Sequence, residues 1–299
     1  MIVIYIFEEN HRFSEKTPHP APHSVVEAAN LAASISGEKT MAHNVIYFNS
    51  DANGTLADIV NLPYTDVIVC FLRPGSILSP EGDLDVYGDG AAFVDGNLQG
   101  NIQALQNAGK NVLVSFGGDP STISSSAWKL CAQNVRTLVH SIEMFVLING
   151  FNGVDIDYED NSGFDGTGGY DGVQFLVQLT SGLAQALPSG HNIITHAPQT
   201  PYWDSNYLNA PYSQIWQRVG GRIAWINNQF YNNSGYDQDA PTKVQWYKNI
   251  AGITGPQKLL MGVLLSGGEG VESLGDMVQN VIPPLQSQFG AQFGGVMGW

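Results

Sequence analysis

Short apolar runs recur along the chain and alternate with amphipathic stretches. Most of these runs are apolar at nearly every position, which is typical of parallel strands that are covered on both faces. The strands predicted by this pattern are Val45–Phe48, Asp66–Leu72, Asn111–Phe116, Gly153–Glu159, Asn192–Ala197, Ile223–Tyr231, Leu259–Leu265 and Gly294–Trp299. Helices are predicted between them, over 96–108, 124–149, 171–187, 207–218, 241–251 and 271–288.

The alternation of strands with helices predicts the fold class, because it is the pattern of parallel βαβ units. Eight such strands predict a closed (β/α)8 TIM barrel. A doubly wound open sheet is the alternative, but no glycine-rich phosphate-binding turn follows the first predicted strand. The chain has 299 residues, which suits one barrel domain of typically about 250 residues.

The two ends of the chain complicate this assignment. The barrel is assigned to residues 44–299, and residues 1–43 are an N-terminal extension outside it. Since the eighth predicted strand ends at Trp299, the barrel is expected to lack its last helix. One hypothesis is that a short amphipathic helix over His23–Ser36 fills that slot. The alternative is a loose extension on a fragment, which the polar, proline-rich stretch His11–His23 favours.

Charge and composition exclude several classes of protein. The chain has 12 basic and 27 acidic residues, a net charge of −15, and no basic run, which argues against nucleic acid or an anionic membrane as partner. No segment reaches the length of a membrane span, and the apolar run Ile2–Phe7 lacks the basic flank of a secretory signal. Cys70 and Cys131 are expected to be buried free thiols. A soluble monomer is expected, of unknown localisation.

The strongest chemical signal is a row of acidic residues on the fourth predicted strand. Asp155, Asp157 and Glu159 alternate with apolar residues and therefore share one face of the strand. In a barrel this face must point inward, since the apolar face packs on helices. Clustered, desolvated carboxyls have raised pKa values and retain protons. Glu159, the outermost, is the candidate general acid. The alternative is an edge strand with its acids facing solvent.

The run Phe151-Asn152-Gly153-Val154-Asp155-Ile156-Asp157-Tyr158-Glu159 resembles the D-G-x-D-x-D-x-E signature of family-18 glycoside hydrolases, the chitinases and their relatives. Asn152 stands where the signature often has Asp, which is a minor departure. Ser115-Phe116-Gly117-Gly118 is similar to the S-x-G-G motif of the same family.

Other segments resemble the plant and fungal branch of that family, in the expected order. They are Val45-Ile46-Tyr47 on the first strand, Ala197-Pro198-Gln199 on the fifth, and Asn228-Gln229-Phe230-Tyr231-Asn232-Asn233, which is similar to Q-x-Y-N, on the sixth. Trp299 ends the eighth strand, where the family has a tryptophan beneath the sugar. The resemblance spans about residues 44 to 299.

The resemblance implies hydrolysis of β-1,4-linked N-acetylglucosamine polymers, chitin or chito-oligosaccharides, with retention of configuration. This family is an exception to the two-carboxylate mechanism and uses the substrate's acetamido oxygen as nucleophile. Asp157 and Glu159 lie two residues apart on one strand, so they approach a sugar from one side, which agrees with that exception.

The resemblance also implies a role for each site residue. Glu159 would be the acid and base, and Asp157 would hold the acetamido N–H. Asp155 would share a proton with Asp157, and Tyr231 would hydrogen-bond the acetamido oxygen. Substrate-binding roles would fall to Trp299, Gln229, Tyr47, Gln199, Ser115 and Gly117. No metal or cofactor would be needed.

Two alternatives share this sequence pattern. An endo-β-N-acetylglucosaminidase that cleaves N-glycans uses the same acetamido chemistry. A catalytically silent glycan-binding protein on the same barrel usually lacks the Glu or one of the Asp residues, and this chain retains all three. Family members are commonly extracellular, although no signal peptide is visible in this sequence.

Overall fold

The computed structural model of the chain describes residues 42–49, 54–77, 84–265 and 276–299. The strands of these residues form one sheet. They are β1 (His43–Phe48), β2 (Asp66–Ile77), β3 (Leu84–Gly88), β4 (Asn111–Gly117), β5 (Gly153–Asp157), β6 (Ile193–His196), β7 (Trp225–Gln229), β8 (Leu259–Val263) and β9 (Gly295–Gly298).

Eight of these strands close into a parallel barrel. Each pairs with the next in the order β1, β2, β4, β5, β6, β7, β8, β9, and β9 pairs back onto β1. The closure confirms the predicted (β/α)8 TIM barrel. The strand β3 was not predicted: it runs antiparallel to the upper part of β2 and stands outside the barrel ring.

The α-helices of the described residues surround this barrel. They are Ala91–Val94, Leu98–Asn107, Ser125–Gln133, Val135–Asn149, Asn161–Asp165, Gly172–Ala186, Pro211–Val219, Ala240–Thr254 and Ile282–Phe289. A π-helical turn, Met277–Val281, precedes the last of them, and short 3-10 turns occupy Leu56–Asn61, Thr200–Trp203, Gly220–Arg222, Pro256–Lys258 and Gly290–Gln292. No helix in these described ranges combines the length and apolar character of a membrane span.

Capping residues explain where several helices begin. The side chain of Asp171 accepts from Gln174 N over 2.8 Å, and that of Asp239 accepts from Thr242 N over 2.8 Å. Each satisfies a backbone donor that the first helical turn leaves free. The predicted helix 124–149 is wrong in one respect, because it is two helices that meet at Asn134. The predicted helix 207–218 begins only at Pro211, since the backbone before it is left-handed.

Strand ends also depart from the predicted bounds. The predicted strand Gly153–Glu159 ends at Asp157, because its last partner in β4 is Gly117 and its last partner in β6 is His196. Glu159 therefore lies in the turn that follows β5. Likewise Tyr231 lies beyond β7 rather than inside it. In contrast, β2 extends past the predicted bound because β3 supplies a pairing partner.

The core has two layers, on the outer and inner faces of the barrel. Val67 and Val69 of β2 point outward into the apolar layer beneath the helices. Ile68 and Cys70 of the same strand point inward, in an apolar layer with Leu113 and Met297 among others. Both cysteines are buried free thiols, as predicted. The proposed helix over 23–36 lies outside the described residues.

Candidate active site

The acidic row of β5 lies inside the barrel and rises toward the carboxyl ends of the strands. Asp155 is fully buried, Asp157 is 5% exposed, and Glu159 is half-buried in the turn after the strand. Glycosidase and other active sites of this fold lie at this end of the barrel. Asn152, the departure from the family signature, lies at the opposite end, where its Oδ1 accepts from Val112 N over 2.9 Å.

The Asp155 carboxylate accepts hydrogen bonds from four neutral side chains on four different strands. Oδ2 accepts from the hydroxyls of Tyr47 and Ser115, each at 2.8 Å. Oδ1 accepts from the hydroxyl of Thr195 at 2.6 Å and from Nδ2 of Asn227 at 3.2 Å. Burial raises the pKa of Asp155, and these four donors oppose that rise. These donors occupy the acceptor positions of the carboxylate and favour its ionised form.

Asp157 and Glu159 form what we call the acid pair. Burial, the Glu159 charge and the Asp155 charge raise the pKa of Asp157 well above its usual range. Burial also raises the pKa of Glu159, although hydrogen bonds from Gln229 and Gln199 oppose it. The interaction between the two carboxyls raises the pKa of Asp157 and lowers that of Glu159, which favours the protonated form of Asp157. The proton shared by Asp155 and Asp157 stays a prediction; the pKa of Asp155 and that of Asp157 are both raised.

Two side-chain amides donate hydrogen bonds to the acid pair, from Gln199 after β6 and from Gln229 at the end of β7. Gln229 Nε2 lies 3.1 Å from both Asp157 Oδ1 and Glu159 Oε1. Gln199 Nε2 donates to Glu159 Oε2 over 2.9 Å. Both glutamines were predicted to bind substrate, and their side chains lie at the site, where their direct partners are the acids.

Tyr231 follows β7 on a loop that is fixed by its neighbours. Lys243 Nζ donates to the carbonyl of Phe230 over 2.9 Å, and Asn233 Nδ2 donates to the carbonyl of Tyr231 over 2.7 Å. Burial first, and then the charges of the acid pair, raise the pKa of the Tyr231 phenol. The hydroxyl therefore stays protonated and can donate a hydrogen bond to a ligand.

Trp299 lies directly across the barrel from β5 and is half-buried. Its backbone continues the pairing of β9, with its N–H donating to Val263 O over 2.9 Å. Its ring contacts Tyr47 edge-on at 6.0 Å and Phe71 at 5.5 Å between centroids. The indole therefore packs against aromatic side chains of β1 and β2, at the end of the strand opposite β5.

The Gly117–Gly118 turn after β4 approaches the backbone of Asp157 closely. Gly118 N donates to Asp157 O over 2.9 Å. A Cβ on Gly117 would lie 1.9 Å from that same oxygen, so no side chain fits there. The structure thus gives Gly117 a role in packing beside the site, whereas Ser115 contacts Asp155 deep in the barrel.

Sequence reasoning missed three side chains of this site. Thr195 and Asn227 bind Asp155, and their positions on the predicted strands alternate with outward residues, so an inward orientation could have been inferred. The third is Arg73, whose Nη1 donates to Gly117 O over 2.5 Å. Arg73 lies in the upper part of β2, which pairs with β3 in a hairpin that the sequence pattern did not reveal.

The geometry can be compared with known proteins. The sequence profile of Glycosyl hydrolases family 18 matches residues 43–275, which is most of the chain. This chain belongs to family 18 of the glycosyl hydrolases. The family resemblance indicated by the acidic strand is thereby confirmed.

Individual members of family 18 resemble the chain over different lengths. The solved structure of a family-18 chitinase from Pseudoalteromonas aurantia is 35% identical, with a TM-score of 0.78, over 86% of this chain and 93% of that one. An acidic endochitinase of Beta vulgaris is 26% identical over 85% of both proteins. Endochitinase 4 of Metarhizium anisopliae is 27% identical over 50% of this chain, which spans 57% of the length of that relative.

Proposed function

We propose that this protein hydrolyses β-1,4 links between N-acetylglucosamine units of chitin, with retention of configuration and with the substrate's own acetamido oxygen as nucleophile. The observation that carries the proposal is the acid pair. Asp157 ends β5 and Glu159 follows it two residues later, so both carboxyls approach a sugar from one side, and burial raises the pKa of each.

Binding of substrate supplies a reason for the proton to move. The interaction between the two carboxyls raises the pKa of Asp157 and lowers that of Glu159, so the proposed resting position of the proton is Asp157. An acetamido N–H that donates to Asp157 favours the ionised form of Asp157. The proton then passes to Glu159, which becomes the acid that protonates the glycosidic oxygen.

The first chemical step breaks the bond between the anomeric carbon and the leaving oxygen. The leaving oxygen takes the proton of Glu159, and the acetamido oxygen forms a new bond to the anomeric carbon, which yields an oxazolinium ion. Ionised Asp157 stabilises the positive charge that develops on the acetamido nitrogen. The Tyr231 hydroxyl orients the acetamido oxygen, and Trp299 supports the apolar face of the sugar.

The second step returns a proton to Glu159, and the proton passes back to Asp157 when the acetamido group leaves. Glu159, now ionised, removes a proton from water while the water oxygen attacks the anomeric carbon. The oxazolinium ring opens, and the acetamido group recovers its original form. Two displacements at the same carbon give a product with the configuration of the substrate.

Product analysis tests the proposal. Purified enzyme is incubated with N-acetyl chitohexaose and, in parallel, with a high-mannose glycopeptide. Shorter N-acetyl chito-oligosaccharides from the first substrate support chitin hydrolysis. Release of the glycan from the glycopeptide alone would indicate an endo-β-N-acetylglucosaminidase. Binding of either substrate without any product would indicate a silent glycan-binding protein.

A further inference from the structure

Arg73 is a buried cation at the mouth of the barrel that the proposed reaction does not use. Its side chain is only 9% exposed. Nη1 donates to the carbonyl of Gly117, and the guanidinium lies over the Phe71 ring at 4.6 Å from the centroid. Its carboxylate partner, Asp89, is 3.4 Å away and 61% exposed, so solvent screens that ion pair.

The backbone links Arg73 to the acid pair. Arg73 binds the carbonyl of Gly117, and the next residue, Gly118, donates from its N–H to the carbonyl of Asp157. Neither glycine has room for a side chain between Arg73 and Asp157. A Cβ on Gly118 would lie 2.7 Å from Arg73 Nη1, and one on Gly117 would lie 1.9 Å from Asp157 O. The position of the guanidinium thus fixes the turn against β5.

The charge of Arg73 also acts on the acids. Burial and the charges of Glu159 and Asp155 raise the pKa of Asp157, whereas the positive charge of Arg73 lowers it. Among the described residues, the other titratable groups near the acid pair and the guanidinium are acidic or neutral. They are Asp89 after β3, Asp119 after β4, Cys70 in β2, Tyr47 in β1, Tyr202 and Tyr212 after β6, and Tyr231 after β7.

We propose that Arg73 is a positioning residue of the active site, which fixes the Gly117–Gly118 turn against Asp157 and supplies the positive charge that balances the acid pair. The proposal rests on the proposed function, because it assigns Arg73 the task of keeping one negative charge on Asp157 and Glu159 over the working pH range. A buried cation with one screened partner is costly to the fold, and this task gives the charge of Arg73 a function beside Asp157.

The test compares Arg73→Gln, Arg73→Lys and a control, Arg222→Gln. Arg222 also donates to a carbonyl, that of Ser181 at 3.2 Å, but on the exposed surface.

The pH profile of kcat/KM is measured on N-acetyl chito-oligosaccharides. Loss of the positive charge raises the pKa of Asp157, and the pKa of Glu159 follows because the two carboxyls titrate as a coupled pair. Both limbs of the Arg73→Gln profile therefore move to higher pH, by about 0.5–1 unit, since a closer opposite charge is worth about 1–3 units. Arg73→Lys and Arg222→Gln keep the wild-type limbs.

A second readout does not depend on hydrolysis. Carboxyl titration of Asp157 and Glu159 by 13C NMR, without substrate, shows the same upward shift in Arg73→Gln. An upward shift in a protein that cleaves no chitin would overturn the proposed function and leave the role of Arg73 standing. Unshifted carboxyls, or an equal shift in Arg73→Lys, would overturn the role of Arg73. So would a higher KM for long oligosaccharides with unmoved limbs, which would mark a direct sugar contact.

A third variant keeps the test decisive if thermal unfolding shows that Arg73→Gln does not fold. Asp89→Asn leaves Arg73 in place and removes the anion beside it. The positive charge then acts more strongly on the acid pair, and both limbs move to lower pH. The profile is measured at low ionic strength, where the screening of this ion pair is least, and limbs that stay in place there would overturn the proposal.

Discussion

The side-chain amide of Gln199 donates to Oε2 of Glu159 over 2.9 Å, and that of Gln229 donates to Oε1 over 3.1 Å. The backbones of the two glutamines form a parallel β-bridge. Each amide lowers the pKa of Glu159 against the effect of burial. Gln199→Leu removes one of the two donors, so the pKa of Glu159 rises. The alkaline limb of kcat/KM then moves to higher pH, while Gln245→Leu on an exposed helical face leaves it in place. An unmoved limb in Gln199→Leu would contradict this role.

Glu159→Gln tests the assignment of the acid. The amide cannot donate a proton to the leaving oxygen, so kcat falls by about 10²–10⁴-fold, the usual worth of general acid catalysis. Binding of N-acetyl chitotriose, measured by tryptophan fluorescence, persists. Glu143→Gln, on the surface helix Val135–Asn149, is the matched control and keeps full activity. Near-normal turnover by Glu159→Gln would remove Glu159 from the mechanism.

The raised pKa values of Asp157 and Glu159 make stability depend on pH. In the unfolded chain these carboxyls have ordinary pKa values near about 4, whereas the folded protein holds its protons to higher pH. The folded state therefore binds more protons than the unfolded state above about pH 4, and its stability falls as pH rises through the folded pKa values.

Glu159→Gln removes part of this dependence. Its free energy of unfolding, measured in urea, should rise relative to wild type as the pH is raised from about 4 to neutrality. The difference is smallest at the acidic end, where both carboxyls are protonated in both states. A difference that is constant across this range would argue against the shared proton of the acid pair.

Thr195→Val tests the donors around Asp155. The substitution keeps the shape of the side chain and removes the 2.6 Å hydrogen bond to a buried carboxylate. The pKa of Asp155 rises further, and unfolding becomes easier by about 1–3 kcal/mol, as expected when a buried acceptor loses its donor. Thr254→Val, which removes a donor to the backbone carbonyl of Ile250 far from the site, is the control. Equal losses in the two variants would contradict a special role for Asp155.

Cleavage through the acetamido group predicts both the product and the substrates that resist cleavage. Proton NMR of the first turnover should show the β-anomer, because two displacements occur at the anomeric carbon. Fully deacetylated chitosan lacks the nucleophile and should not be cleaved. Initial α-product, or rapid cleavage of chitosan, would point to a water molecule or an enzyme carboxylate as the nucleophile.

The barrel and the acidic row could be predicted from sequence because each rests on a local pattern. Eight apolar runs determined eight strands, and the two-residue spacing of Asp155 and Asp157 determined their common face. The strand β3 could not be predicted, since its short stretch Leu84–Gly88 is stabilised by pairing with β2 rather than by its own pattern.

The partners of the acids required coordinates. The sequence places Asp155 beside Asp157, but Asp155 binds side chains that are contributed by β1, β4, β6 and β7. Which residue completes a hydrogen bond across a barrel depends on strand register, and register is not encoded within any single strand. Arg73 could not be predicted for the same reason. In the sequence it follows an ordinary apolar run, and its contact with Gly117 depends on the pairing of β2 with β4.

The hydrogen bonds of Asp155 also constrain how this lineage could give up hydrolysis. Four strands of the barrel share that one carboxylate, whereas Glu159 lies in a turn and is held by two glutamine amides. A descendant can replace Glu159 at little structural cost and retain the barrel around it. Replacing Asp155 would leave four inward donors without their acceptor. Inactivation in evolution should therefore begin at the rim of the barrel and reach its centre last.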